Sequence, residues 1–272
     1  MKKMKNSHAC SFCDCMEKLI CENYTLPDTA EYIYIGSYFC DRYFLNTPEE
    51  TWRVCLDHIN NMSRKAVLVI PIPGQNLLKN ILDKVEKLVD TGNISELVVN
   101  DPGMLRWCGK MFPEMDIWSG RLMSKEIRDP RYNMEFQIPD RYELCRDGTL
   151  YGITVKGVES DPVFPLRVKL SDHCQLGVHT PYAFISASRY CEIGSIGQSL
   201  AKKFRLDTKC GRQCIDCGLI YKNRGITFYK SGRAVLTDSQ ASGYEKKGNI
   251  RIIHSHKFDW SRDEITDSSE QH

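Results

Sequence analysis

Apolar runs of strand length that alternate with amphipathic helical segments constrain this chain more than any other feature of its sequence. EYIYIG, residues 31–36, is β-branched and aromatic and ends on Gly, which reads as a strand. The following TPEETWRVCLDHINNM predicts a helix with Thr47 as N-cap, Pro48 at its first position and Glu50 closing a capping box. Its inner stripe is Trp52, Cys55, Ile59 and Met62, in steps of three and four residues. AVLVIPI and QNLLKNILDKVEKLV repeat the pattern, with Leu78, Ile81, Leu82, Val85 and Val89 on the inner face of the second helix. ELVVND and DIWSG are further strands around the short helix PGMLRWCGKMF. Strands starting near residues 32, 66, 97 and 116, with helices between them, describe parallel βα units.

A length of 272 residues with 42% hydrophobic content suits one large core and matches the roughly 250 residues of a single α/β barrel. The second half reads differently. MEFQIPDRYELCRDGTLYGITVKGVESDPVFPLRVKLSDH is rich in Pro, Gly and turn residues and describes either a degraded barrel half or a β insertion. YAFIS is a strand closely followed by Cys191, and GITFYKSGRAVLTDSQ is a hairpin turning at Ser231 and Gly232. We expect one α/β barrel domain over residues 25–257, incomplete or irregular in its second half, between a Cys-rich segment 1–24 and a polar tail 258–272.

The formal charge of +2, from 37 basic and 35 acidic residues, argues neither for nor against a nucleic-acid partner. No apolar run approaches the roughly 20 residues that span a bilayer, and MKKMKNSHACSFCDCMEK has a basic start with no apolar signal core. The expectation is a cytoplasmic protein without a membrane span. In that reducing compartment the 13 cysteines serve metal binding, catalysis, redox sensing or burial rather than a disulfide framework. Cys55 and Cys108 read as packing residues.

Cys40, in SYFC, and Cys191 follow strand ends, and Cys210 and Cys214 stand in the Gly-containing TKCGRQCIDCGLIY. Loops that leave the carboxyl ends of parallel strands share one rim. Four thiolates converging there suit either an iron–sulfur cluster or structural zinc. Arg121, Lys125, Arg128 and Arg131, in GRLMSKEIRDPRY, are candidates for gripping an anion such as a dicarboxylate or a phosphate, against a solvated loop paired with Glu126 and Asp129. Asp101 and His179 stand beside strand ends as candidate acid–base groups or as structural caps. His8, Cys10, Cys13, Cys15 and Cys21 offer either a second metal site or an exposed, reduced tail.

Taken together, YIGSYFC, ELVVNDPGMLRW, SGRLMSKEIRDPRY, SASRYC and CGRQC resemble the peptidase U32 family, the collagenase-like peptidases, over most of residues 31–240. Within it the likeness is to the short iron–sulfur proteins of oxygen-independent ubiquinone hydroxylation. The resemblance implies a TIM-like barrel and a [4Fe-4S] cluster on Cys40, Cys191, Cys210 and Cys214. Because eighteen residues separate Cys191 from Cys210, Cys217 is an alternate ligand. It also implies oxygen-independent hydroxylation of a quinone precursor or an RNA base, by an enzyme or by one subunit paired with a second family member. The family's peptidase signature, Gly then a small residue, an aliphatic and Cys, has no match here, and no Ser/His/Asp or Cys/His arrangement revives proteolysis. The other reading is a non-catalytic iron–sulfur or zinc protein that binds a partner or RNA.

Overall fold

The computed structural model describes residues 6–21, 26–124, 128–130, 148–163, 174–203, 205, 210–241, 244 and 249–256. The first half runs β1 (Ser7–Ser11), β2 (Ala30–Gly36), α1 (Asp41–Asn46), α2 (Glu49–Asn61), β3 (Lys65–Ile70), α3 (Leu78–Asp90), β4 (Ile94–Val99), α4 (Pro102–Met111) and β5 (Asp116–Ser119). A short hairpin, β6 (Thr149–Leu150) and β7 (Ile153–Thr154), precedes β8 (Gly157–Ser160) and β9 (Gln175–Thr180). The chain then builds β10 (Tyr182–Ala187), β11 (Leu219–Asn223), β12 (Ile226–Ser231) and β13 (Ala234–Asp238), and returns as β14 (Ile250–Ser255).

Eight strands close into a barrel in the order β1-β14-β9-β8-β5-β4-β3-β2, every pair parallel. This is a TIM-like α/β barrel. Among the described residues α-helices follow β2, β3 and β4, so the outer ring is helical in the first half and irregular in the second. Between β9 and β14 the chain forms a four-stranded antiparallel sheet, order β10-β13-β12-β11. No helix among the described residues is long and apolar enough to cross a membrane.

Three local readings change. The Cys-rich segment set apart as residues 1–24 supplies β1, which lies between β14 and β2 and pairs with both. YAFIS is β10 of the inserted sheet, and the neighbouring barrel strand is β9, ending at Thr180 just before Pro181. Thr47 does not cap α2: it closes the short helix α1, where its hydroxyl donates to the Tyr43 carbonyl at 2.8 Å, and Pro48 takes the N-cap position of α2. The tail 258–272 lies outside the described residues.

Apolar packing divides into two shells. Outside the barrel, Trp52, Cys55, Leu56 and Ile59 of α2 and Ile81, Val85 and Leu88 of α3 pack against the outward residues of the strands. Inside, Ala9, Tyr32, Tyr34, Val67, Val69, Val98, Trp118 and Ile253 fill the lumen. Alternation along each strand separates the two sets. Gly157 makes room for the largest of the inner side chains, since a Cβ there would stand 2.4 Å from the Trp118 ring.

Charge also enters the lumen. Arg251 on β14 donates to Glu96 on β4 at 2.5 and 3.1 Å and to the Tyr34 hydroxyl at 3.1 Å. Its guanidinium lies 3.5 Å from the Tyr32 ring centroid and 4.3 Å from that of Trp118. Glu96 also accepts from Lys156 at 2.8 Å. A buried ion pair resists the loss of one member because the other is left desolvated and uncompensated. Glu96→Ala should therefore lower unfolding stability by about 3–5 kcal/mol in urea denaturation, and Glu96→Leu/Arg251→Met should recover most of that loss. Equal losses in the single and double variants would show that the pair is not what holds this end of the barrel.

Candidate metal centre

The first thiol is placed by the end of β2. Gly36 has φ +109°, and a Cβ there would meet the Val69 carbonyl oxygen at 2.4 Å, so only Gly lets the strand turn this close to β3. Ser37 then accepts from the Cys40 backbone N–H at 2.9 Å while its own hydroxyl donates to Asp14. Cys40 is the N-cap of α1, and its Sγ accepts from the Tyr43 N–H at 3.3 Å. Burial pushes this thiol up to about 12, with Arg233 pulling it part of the way back.

The other three thiols come from the inserted sheet and its loops. Cys191 follows β10, and its Sγ accepts from the Gly194 N–H at 3.2 Å. Cys210 is tied to α1 through its carbonyl, which accepts from Asn46 Nδ2 at 3.3 Å. Cys214 is buried on the 3-10 turn Gln213–Ile215. Three ion pairs hold this assembly in place: Arg212 with Glu17, Lys230 with Glu192 at 2.8 Å, and Arg233 with Asp41 at 2.8 Å.

Cys40, Cys191, Cys210 and Cys214 line one cavity. Arg42, Arg189, Arg205, Arg212 and Arg233 line it with them, and among the described residues no carboxylate does. Arg233 Nε is buried without a hydrogen-bond partner among the described residues. Cys217 is exposed and does not line the cavity. Among the described residues, no three or more His, Cys, Asp or Glu side chains stand close enough together to hold a single metal ion. The arginines were absent from the sequence reading because they come from five separate points of the chain. Arg189 directly before Tyr190 and Cys191, and Arg233 in the SGR turn, carry no local signal beyond adjacency to a thiol or a turn.

The remaining candidates are placed apart from this cavity. Arg121 is buried, bound to Asp161 through Nε at 3.0 Å and through Nη2, and lies over the rings of Tyr38 and Phe39. Its guanidinium is committed to a structural pair rather than offered to a ligand. Arg128 turns back on its own loop, donating to the Arg121 carbonyl and to Ser124 Oγ at 2.6 Å, and covers Phe184. Lys125 and Arg131 lie outside the described residues. Asp101 caps α4, accepting from the Met104 N–H at 2.9 Å. Cys10 and Cys15 pack in the outer shell, Cys13 faces the lumen, and His8 and Cys21 are exposed, so the amino-terminal set does not converge. Cys55 and Cys108 are buried in the outer shell.

At the upper end of the lumen His179 Nε2 and Glu159 Oε2 are 3.2 Å apart, and Tyr38 donates to Glu159 at 3.1 Å. Burial pushes Glu159 up to about 8 against the nearby Arg121 charge and the Tyr38 hydrogen bond. Burial, with the same Arg121 charge, pushes His179 well below the usual imidazole range. Both groups are thus shifted toward their neutral forms across one contact, and His179 Nδ1 is buried without a partner among the described residues. This pair can hold and pass a proton, but it lines neither the thiol cavity nor the larger one beside it.

No protein-family profile matches this sequence, and no curated protein matches it. Among solved structures, that of the U32 peptidase Mk0906 is similar, with a TM-score of 0.49 and 9% identity over 93% of this chain and 94% of that one. A likeness at that level speaks to neither family nor chemistry.

The Glu159 site generates a pH dependence with a definite sign. A carboxyl raised to about 8 in the folded chain binds its proton more tightly folded than unfolded. Its contribution to stability is complete below the ordinary Glu range, about 4.3, and is lost as pH rises toward 8. Arg121, Asp161, Tyr38 and His179 surround it, and His179 works in the opposite direction below its ordinary range, in wild type and variant alike. The stability of Glu159→Gln relative to wild type should therefore rise between about pH 5 and pH 8 in urea titrations. A difference that stays flat across that interval would show that Glu159 is ionised in the folded protein.

Proposed function

We propose that this chain is an iron–sulfur protein of the peptidase U32 type, holding a [4Fe-4S] cluster on Cys40, Cys191, Cys210 and Cys214 and acting as an oxygen-independent hydroxylase or a subunit of one. The observation that carries this reading is the convergence of those four thiols, drawn from both halves of the chain, on one cavity lined with guanidinium groups. Four soft sulfur donors suit such a cluster, and their number leaves no iron position open. A cubane spreads its four sulfurs over its corners, so its ligands need not crowd around one ion.

The surroundings fit an anionic group better than four neutral thiols. Arg212 and Arg233 are paired with Glu17 and Asp41, and Arg189 adds to the sulfur-lined space a guanidinium with no partner among the described residues. Around thiolates and a cluster such a charge offsets negative charge. The N–H groups of Tyr43 and Gly194 already point at Cys40 and Cys191 sulfur, and such hydrogen bonds stabilise thiolate ligands and tune a cluster's potential. The buried Arg233 Nε is a further donor awaiting an acceptor. Bound there, a fully ligated cluster supplies a one-electron couple. The chain's own part is to hold four sulfurs on a rigid floor, β2 and α1, and a clamp, the inserted sheet with its loops. The resemblance to the family implies a quinone precursor or an RNA base as the acceptor, with a second family member as partner.

Protein purified without oxygen should be brown and contain iron and acid-labile sulfide in equal amounts. Cys40→Ala, Cys191→Ala, Cys210→Ala and Cys214→Ala should each lose the cluster, while Cys55→Ala, Cys108→Ala and Cys217→Ser should keep it. Colourless protein with stoichiometric zinc and no sulfide would overturn the proposal. Loss of the cluster in Cys217→Ser with retention in Cys40→Ser would replace one ligand by the other.

A further inference from the structure

The inserted sheet ends on an open edge. In the order β10-β13-β12-β11, β12 and β13 are paired on both sides, whereas among the described residues β11 is paired on one. The β11–β12 hairpin fixes which backbone groups face outward. Its connection is Arg224 and Gly225, both at positive φ, a type I′ turn that joins a hydrogen-bonded pair, Asn223 and Ile226. Tyr221 with Phe228 and Leu219 with Lys230 are then hydrogen-bonded pairs too, so the N–H and C=O groups of Ile220 and Lys222 point away from β12. A row of unpaired backbone groups is a template for another strand.

The side chains on this edge are not those that keep an edge strand alone. Free edges are ordinarily blunted by charge, proline or bulges, yet LIYKN has one charged residue, Lys222, and pairs with β12 without a register shift. Leu219 and Tyr221, 49% and 45% exposed, share one face, where Tyr221 stacks on Phe228. On the other face Phe184, Leu236, Tyr229 and Ile220 are successive cross-strand neighbours, an apolar row that starts on β10 and runs out at the edge.

Antiparallel pairing of β11 with a second copy of itself, about a two-fold axis at Ile220, suits both faces. Ile220 then bonds its counterpart and Lys222 bonds Gly218, using the outward backbone groups. Leu219 of each copy stands directly opposite Tyr221 of the other, and the apolar row continues through the two Ile220 side chains into the second sheet. Lys222 faces a residue without a side chain, so its ammonium stays in water. Beyond the ladder Asp216 of one copy falls opposite Arg224 of the other, and neither side chain has an ion-pair partner among the described residues. An axis at Tyr221 would instead set Lys222 against Ile220, and one at Lys222 would set two ammonium groups against each other.

We propose that β11 is a dimerisation edge, through which two copies of this chain pair antiparallel about Ile220 and join their four-stranded sheets into one of eight strands. The inference goes beyond the iron–sulfur reading and does not rest on it. A ladder this short buries less than the roughly 1,200 Å² of a standard interface, so the dimer is a weak one.

The test is sedimentation of the full chain, purified without oxygen, from about 1 μM to about 300 μM, the span of a weak interface. Wild type should move from one chain mass toward two within that span. Ile220→Lys, which opposes two charges at the axis, and Lys222→Pro, which removes an outward N–H, should each weaken association by about tenfold or more. Arg53→Gln on exposed α2 should leave it unchanged. The register is read by cross-linking in a Cys21→Ser/Cys217→Ser background, which removes the two exposed cysteines among the described residues and should not itself cross-link. Ile220→Cys should form a disulfide dimer under mild oxidation, because facing hydrogen-bonded residues lie about 5.5 Å apart at Cα. Tyr221→Cys should not, since its counterpart stands two residues along, about 7–8 Å away. This comparison holds even where Ile220→Lys fails to fold. A monomer at every concentration, a dimer indifferent to both Ile220→Lys and Lys222→Pro, or faster cross-linking of Tyr221→Cys would each overturn the proposal. A chain that stays monomeric alone and pairs only with a second family member would also overturn it, and would leave the heteromeric form of the proposed function standing.

Discussion

The ion pair of Arg251 and Glu96 sets the terms on which this barrel closes. β14 is the strand that joins β9 to β1, and it brings a guanidinium into the lumen, where leaving it unpaired would cost several kcal/mol. Glu96, on the far side of the ring, supplies the counter-charge, and the faces of Tyr32 and Trp118 enclose it. Gly157 then has to be small because Trp118 occupies the space a side chain there would need. The lower lumen is thus one cooperative unit whose parts come from β2, β4, β5, β8 and β14. Neighbours in such a unit do not contribute additively.

On this floor the carboxyl ends of the strands diverge in chemistry. The β2 end carries Ser37, Cys40 and Asp41, each fixed by a hydrogen bond to a neighbouring strand end, loop or turn. Among the described residues the second half of the barrel carries an antiparallel sheet where the first half carries helices, and that sheet with its loops delivers the other three thiols and most of the arginines over the mouth. The loss of βα regularity and the presence of the candidate centre are therefore one feature of the fold. Asp41 links the two parts, since it holds Arg233 of the inserted sheet and the Gly74 loop after β3 at once.

The first half was legible because its strands are continuous apolar runs and its helices are amphipathic, the two periods that burial on both faces or on one face imposes. β1 was not: SHACS has no β-branched residue, and it is a strand only because β2 and β14 pair with it on both sides. In α3 the inner face is rotated from the expected one, with Leu78 left 39% exposed and Lys84 buried. Lys84 is inside because its ammonium donates to the Thr47 carbonyl at 3.0 Å and the Leu45 carbonyl at 3.4 Å, at the end of α1, a demand no helical periodicity encodes. Of the site, the thiols could be found because cysteine is rare and their spacing is local. The arginines of the thiol cavity could not, because Arg121 and Arg128, which looked available, are consumed by nearby acceptors, whereas Arg189 and Arg233 become neighbours only through tertiary structure.

The order of the sequence gives the thiol set a history as well as a geometry. Cys40 leaves the ribosome about 150 residues before Cys191, which at ~5–20 residues per second is roughly 8–30 s. During that interval β1 and β2 have no β14 to complete the ring, and Cys40 waits beside an unfinished wall. Ring closure and thiol convergence both depend on contacts of long sequence separation, the kind that form late. On the proposed iron–sulfur reading, insertion of the cluster would be a late step of maturation, competing with oxidation of a lone early thiol, and the supply of iron and sulfide would have to match the tempo of the chain's own synthesis.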